Sequence, residues 1–164
     1  MGKYAHSFWV KIILKKMAKI LIVEDDSMLI EIYQKKFSDD GYEVVTATTG
    51  AEVLKKIKNE NPELVLLDLV LPEEDGFHVL EKIKKDSHTK NIKVIIFSNL
   101  SQQEDQSRAA KLGAEGFLTK SDYTPTEMVE EVQKVLKSDN QKKNKTSKET
   151  TAKSDGFVKK MKEL

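Results

Sequence analysis

Ile20-Leu21-Ile22-Val23 runs without a polar residue straight into Glu24-Asp25-Asp26. A short apolar run rich in β-branched residues and lacking a polar face predicts a strand covered on both sides, the environment of a parallel sheet. The arrangement recurs downstream, where Leu64-Val65-Leu66-Leu67 runs into Asp68 and Val94-Ile95-Ile96-Phe97 into Ser98-Asn99. Weaker runs from Tyr42 to Ala47 and from Gly116 to Leu118 bring the predicted strands to five, the last followed by Thr119-Lys120.

Helical periodicity fills the intervals. Met28, Leu29, Ile32, Tyr33 and Phe37 recur at helical spacing, as do Val53, Leu54 and Ile57, then Phe77, Leu80 and Ile83, and finally Met128, Val132, Val135 and Leu136. Each set is expected to face the sheet. Thr49 with Glu52, Ser101 with Glu104, and Thr124 with Pro125 and Glu127 have the spacing of capping boxes, and Asp26 before Ser27 reads as an N-cap. Strand–helix alternation of this kind predicts a right-handed, doubly wound α/β fold, a five-stranded parallel sheet with helices on both faces.

The chain of 164 residues fits one domain with tails, and 38% hydrophobic with 34% charged residues describes a globular protein rather than a fibre or a membrane span. The absence of cysteine excludes disulfides and thiolate chemistry, and is compatible with a reducing cytoplasm. The net charge of +1 is uneven: residues 1–19 carry five Lys and no acid, 138–164 carry eight Lys against four acids, and 20–137 carry 15 basic against 23 acidic groups. A core this acidic argues against binding nucleic acid, whose phosphates need a basic face.

Residues 1–17 read as an N-terminal extension. The apolar stretch Phe8 to Leu14 is short and broken by Lys11, so neither a secretory signal nor a membrane span is expected. Met17-Ala18-Lys19 leads directly into the first strand, which leaves two readings open: a start at Met17, or an extra helix ahead of it. The domain itself is expected over 18–138. Residues 139–164 read as a Lys-rich, mostly disordered tail, with Phe157, Val158, Met161 and Leu164 spaced for one short apolar stripe. No output domain is expected after residue 138.

In an open parallel sheet, ligands bind beyond the carboxyl ends of the strands. Here those ends carry Glu24-Asp25-Asp26, Asp68, Ser98-Asn99 and Thr119-Lys120, so carboxylates, a hydroxyl and an ammonium are expected to converge on one edge. Gathered carboxylates raise one another's pKa unless a cation sits among them. Mg2+ suits such a set, because it is a hard ion that takes oxygen ligands and is commonly held by one or two carboxylates with phosphate oxygens.

Residues 18–137 resemble the receiver domain of bacterial two-component response regulators, of the stand-alone, chemotaxis-regulator-like kind. The matching text is Lys19 to Asp26, then Leu64-Val-Leu-Leu-Asp68-Leu-Val-Leu-Pro72-Glu-Glu-Asp75-Gly76, then Val94 to Ser98, then Gly113-Ala114 to Lys120. The resemblance implies a flavodoxin-like strand order 2-1-3-4-5. It implies that Asp68 accepts a phosphoryl group from a sensor histidine kinase or a phosphotransfer protein, beside an Mg2+ ion. Asp25 and Asp68 would ligate the metal directly, Glu24 through water, and Val70 through its backbone carbonyl. Lys120 would pair with phosphoryl oxygen, Ser98 would move to hydrogen-bond it, and the Phe117 rotamer would follow. Output would pass to a protein partner at the face between the fourth helix and fifth strand. The resemblance further implies a cytoplasmic protein with no turnover of an external substrate.

Three departures stand out. Ser121 follows Lys120 where the family usually has proline, so the loop is expected to be rearranged. Asn99 is larger than the usual residue after the hydroxyl. Val70 and Leu100 flank the site with side chains that cannot orient water, which predicts slow loss of the phosphoryl group. The competing reading is a pseudo-receiver that presents a fixed surface without phosphorylation; its mark would be loss of an acid, the acceptor or the lysine, and none is lost. An Asp-nucleophile phosphatase would need an acid at position 70, which is Val, and no Gly-rich phosphate loop follows the first strand.

Overall fold

The computed structural model describes residues 18–138; the N-terminal extension and the Lys-rich tail, with the apolar stripe of Phe157 to Leu164, lie outside them. Strands β1 (Lys19–Val23), β2 (Glu43–Ala47), β3 (Leu64–Leu67), β4 (Lys93–Ser98) and β5 (Gly116–Thr119) alternate with helices α1 (Ser27–Asp39), α2 (Gly50–Glu60), α3 (Gly76–Lys85) and α4 (Gln103–Lys111). A turn of 3-10 helix at Lys120–Asp122 precedes the last helix, α5, over 125–138. The described residues fall into two compact units divided after Val129, within α5.

Every strand pair is parallel and the order is β2-β1-β3-β4-β5, as expected. Chain progression therefore reverses direction across the sheet between β1 and β3, which opens a crevice beyond their carboxyl ends. Register fixes what meets there: Val23 pairs with Leu67, so Glu24 and Asp68, the next residues, leave the sheet side by side.

The inner strands β1, β3 and β4 are buried because both faces are covered, whereas the edge strands β2 and β5 are partly exposed. Leu21, Val23, Val65, Leu67 and Ile96 point to one face, where they form a core with Val53 and Ile57 of α2, Phe77, Val79, Leu80 and Ile83 of α3, and Ala109 of α4. The intervening residues point the other way, where Tyr33 of α1 meets Phe97 edge-on, ring centroids 5.0 Å apart.

The helix boundaries divide the capping expectations. At Thr124 the reciprocal box forms: Thr124 N–H donates to Glu127 Oε2 at 2.8 Å and Glu127 N–H to Thr124 Oγ1 at 3.3 Å. Asp26 caps α1 as expected, its Oδ1 accepting from the N–H groups of Met28 and Leu29. At α2 the expected box does not form: Thr49 makes no side-chain cap bond, and Glu52 accepts from Thr48 N–H at 3.1 Å rather than from Thr49. Ser101 is not a cap at all, because α4 begins one residue later with Gln102 at its N-cap.

The apolar stripe of α1 also needs correction. Tyr33 and Phe37 are buried, but Met28 is 69% exposed and Ile32 42% exposed. Residues four apart share a face, so Met28 and Ile32 lie one behind the other about 100° around the helix from the Tyr33–Phe37 line. A helix packed on one flat sheet covers only one of those two lines.

Candidate functional site

Glu24 and Asp68 leave neighbouring strands of the interior and remain buried, at 3% and 5% exposure. Backbone bonds set their directions: Glu24 N–H donates to Ala47 O and Asp68 N–H to Val23 O, both at 3.0 Å, so each follows the ladder one step past the last strand residue. Asp25 comes next in the chain and is exposed. One carboxylate oxygen from each of Glu24, Asp25 and Asp68 lies within 4.8 Å of the others, the arrangement expected of a cation site.

Lys120 closes the pocket from the far side of the sheet. Its Nζ donates to Asp68 Oδ2 at 2.6 Å and to Glu24 Oε2 at 2.5 Å, with only 9% of the side chain exposed. Burial pulls the pKa of this ammonium down, but the hydrogen bonds to Asp68 and Glu24 outweigh that and hold it above its ordinary value. Glu24 is pushed above the usual carboxylate range, chiefly by burial; Lys120 and the Asp26 N–H pull it back, and repulsion from Asp68 is the smallest contribution. The sequence expectation of mutual repulsion thus has the right direction for Glu24 and the wrong leading cause.

The other Asp68 oxygen, Oδ1, accepts from Val70 N–H at 3.0 Å. This folds residues 68–70 into a tight turn, and Val70 then forms a bridge with Asp75 while Gly76 N–H donates to Leu69 O at 2.9 Å. Position 76 requires glycine, since a Cβ there would fall onto the Leu69 Cα and lie 2.5 Å from the Asp68 carbonyl oxygen. Glu73 takes a left-handed conformation, φ 68°, at the tip of this loop. Asp75 caps α3 through Phe77 N–H at 2.9 Å, and the Arg108 guanidinium of α4 stands 4.0 Å over the Phe77 ring. Val70, whose carbonyl was expected among the ligands, sits on the rim with its side chain 58% exposed.

Ser98 is fully buried at the end of β4, paired in register with Thr119, and its Oγ accepts only a long contact, 3.4 Å, from Leu100 N–H. Phe117 pairs with Ile96 and packs half-buried against the core. Ser98 is two residues past Ile96, so it shares a sheet face with Phe117, as a coupled pair requires. Asn99 is exposed. Ser121 lies in the 3-10 turn, and no peptide bond among the described residues is cis. With this turn, Lys120 still reaches both acids.

The pocket thus gathers Glu24, Asp25, Asp68 and Lys120, with Val70 at its rim and Ser98 at the exit of β4, the strand between those that carry Asp68 and Lys120. Two further residues border it that sequence reading treats only as core. The Phe97 ring lies beneath Lys120, with Nζ 5.6 Å from its centroid, and Tyr33 is close enough that Lys120 and Glu24 both act on its hydroxyl, whose pKa burial raises. The available signal is register: Phe97 pairs with Leu118, two residues before Lys120.

The family model for the response regulator receiver domain matches residues 20–133. The chain belongs to this family. Its receiver domain is 30% identical over 119 residues to the alkaline phosphatase synthesis transcriptional regulatory protein PhoP of Bacillus subtilis, covering 73% of this chain and 48% of that protein. Among solved structures, the CheY-like receiver domain protein of Methanospirillum hungatei superposes with a TM-score of 0.72 at 29% identity, covering 77% of this chain and 99% of the other. The phosphorylated cyanobacterial phytochrome response regulator RcpA superposes with a TM-score of 0.62 at 30% identity, covering 73% and 91%. The receiver chain spans about half the length of the first curated relatives it matches. Among its described residues no helix is long and apolar enough to cross a membrane.

Proposed function

We propose that this receiver domain is a phosphorylatable switch of a two-component phosphorelay, with Asp68 as the acceptor and Mg2+ as its cofactor. The observation that carries the reading is the chemistry of the donor set. Glu24, Asp25 and Asp68 offer only hard oxygen ligands, and against the one ammonium of Lys120 they leave an excess of two negative charges, which a divalent cation balances. Asp25 and Asp68 would hold the ion directly, Glu24 through water, and Val70 through its carbonyl. The ion would supply neutralisation of phosphoryl charge, the main demand of phosphoryl transfer.

The chain's own groups divide the remaining work. An Asp68 carboxylate oxygen forms a bond to phosphorus as the P–N bond of a phosphohistidine breaks; the imidazole nitrogen keeps the electron pair and takes a proton. Lys120, already directed at Asp68 Oδ2, steadies charge on the transferred oxygens. Ser98, whose hydroxyl has only a long contact, is available to turn toward the phosphoryl group, and Phe117 to follow it. Phosphorylation thereby biases the surface around α4 and β5, where a protein partner reads it. The phosphorylated state of RcpA, a receiver of similar fold, supports this reading. The donor is a sensor histidine kinase or a phosphotransfer protein, the setting is cytoplasmic, and no external substrate is turned over.

The test is the intact mass of the protein after incubation with acetyl phosphate, with and without Mg2+, for the parent and Asp68→Asn. A phosphoryl adduct on the parent alone, dependent on Mg2+, is expected. Its absence from the parent with Mg2+ would leave the pseudo-receiver reading instead.

A further inference from the structure

Lys120 reaches the pocket on a flexible four-carbon stem, and two acids hold its ammonium in place. Both holds weaken during the reaction proposed above, on which this inference rests. The charge of Asp68 would be drawn into the new O–P bond, and Glu24 would be turned toward a bound cation. Until the phosphoryl oxygens take it up, an ammonium held by nothing else would swing toward water.

The Phe97 ring supplies an attraction that does not change with the reaction. Its centroid lies 5.6 Å from Lys120 Nζ, within the range at which the negative face of an aromatic ring attracts a cation. The pairing follows from register, since Leu118 opposite Phe97 directs the chain two residues later over that ring. The ring is itself braced: Tyr33, buried on α1, meets it at 88°. An aliphatic side chain at 97 would fill the space without offering a charged face.

We propose that Phe97 is a positioning residue for Lys120, holding its ammonium at the acceptor carboxylate through the face of the ring, with Tyr33 fixing the plane of that ring. Ser98 and Phe97 then act from opposite faces of one strand, the first on the phosphoryl group and the second on the cation that pairs with it.

The test compares Phe97→Leu with a series in which phenylalanine bearing one, two or three fluorines is placed at 97, which weakens the charge of the ring face with little change in size. Adduct growth with acetyl phosphate and Mg2+ is expected to slow about 3- to 30-fold in Phe97→Leu and stepwise along the fluorine series. Independently of activity, the Lys120 ε-methylene signal of the metal-free parent should be displaced upfield by the ring and return to the ordinary lysine position in Phe97→Leu. A Lys120 signal that is not displaced overturns the proposal. So does a fluorine series that reacts at the parent rate, even where Phe97→Leu is slow, because the ring is then only a filler. Should Phe97→Leu fail to fold, the fluorine series decides. A parent that takes no phosphoryl group sinks the acceptor reading alone, and the Lys120 signal still decides the contact.

Discussion

Lys120 Nζ lies 2.6 Å from Asp68 Oδ2, joining the exits of two strands that are separated by β4 in the sheet. The ammonium occupies the acid pocket as a built-in cation, so metal and lysine act on the same carboxylates. Removing it as Lys120→Met leaves Glu24 and Asp68 buried without their partner. The metal-free protein is expected to unfold at lower urea concentration, and added Mg2+ to restore more stability than it gives the parent. Mg2+ should bind more tightly by calorimetry, yet adduct growth should slow about 100-fold. Unchanged Mg2+ affinity would contradict the shared pocket.

Neighbouring acids should separate cleanly. Asp26 accepts two backbone N–H bonds at the start of α1, while Asp25 accepts none that fix a helix. Asp26→Ala is expected to cost about 1 kcal/mol of stability and to leave Mg2+ binding nearly unchanged. Asp25→Ala should remove Mg2+ binding at little cost in urea midpoint. The reverse pattern would assign the metal to the wrong acid.

Two glycines differ in what a methyl group would strike. At Gly76 it meets backbone of Leu69 and Asp68; at Gly50 it meets the ends of the Glu74 and Val79 side chains. Gly76→Ala is therefore expected to cost about 1–3 kcal/mol and to weaken Mg2+ binding by shifting the 68–70 turn, while Gly50→Ala costs less and spares the metal. Urea melts and calorimetry on both variants measure the contrast.

Glu127 has its pKa held below the ordinary 4.5 by hydrogen bonds, first from the Thr124 backbone N–H and then from its hydroxyl. A carboxylate lowered on folding contributes stability above its unfolded pKa and loses it as pH falls through the folded one. Thr124→Ala should accordingly lower the urea midpoint at pH 7, with the gap to the parent narrowing below about pH 4.5. A gap that stays constant into acid would assign the effect to the helix cap alone.

Val70, two residues past Asp68, stands on the open rim with a side chain that holds no water, while Leu100 packs against the core. The phosphorylated parent is expected to lose its adduct slowly, over minutes or longer, and Val70→Asn to lose it faster. Loss within seconds from the parent, followed by intact mass, would contradict this.

Much of the molecule is legible before folding is considered. Apolar runs at Ile20, Leu64 and Val94 have no polar face, so they require cover on both sides. Such strands form a parallel sheet, and a parallel sheet delivers every strand exit to one edge. Glu24, Asp25, Asp68, Ser98 and Lys120 are therefore carried to one edge of the sheet by local pattern alone. Three-dimensional packing decided the rest. Helical spacing places Met28 and Ile32 as well as Tyr33 and Phe37 on apolar lines of α1, but it is tertiary contact, of Tyr33 with Phe97 and of Phe37 with Tyr42, that selects which line is buried. Ser101 has the letters of a cap, and α4 starts after it because hydrogen bonding across the turn, not composition, fixes a helix end. That burial rather than repulsion raises Glu24, and that an aromatic ring lies beneath Lys120, depend on distances between residues far apart in the chain, which local pattern does not encode.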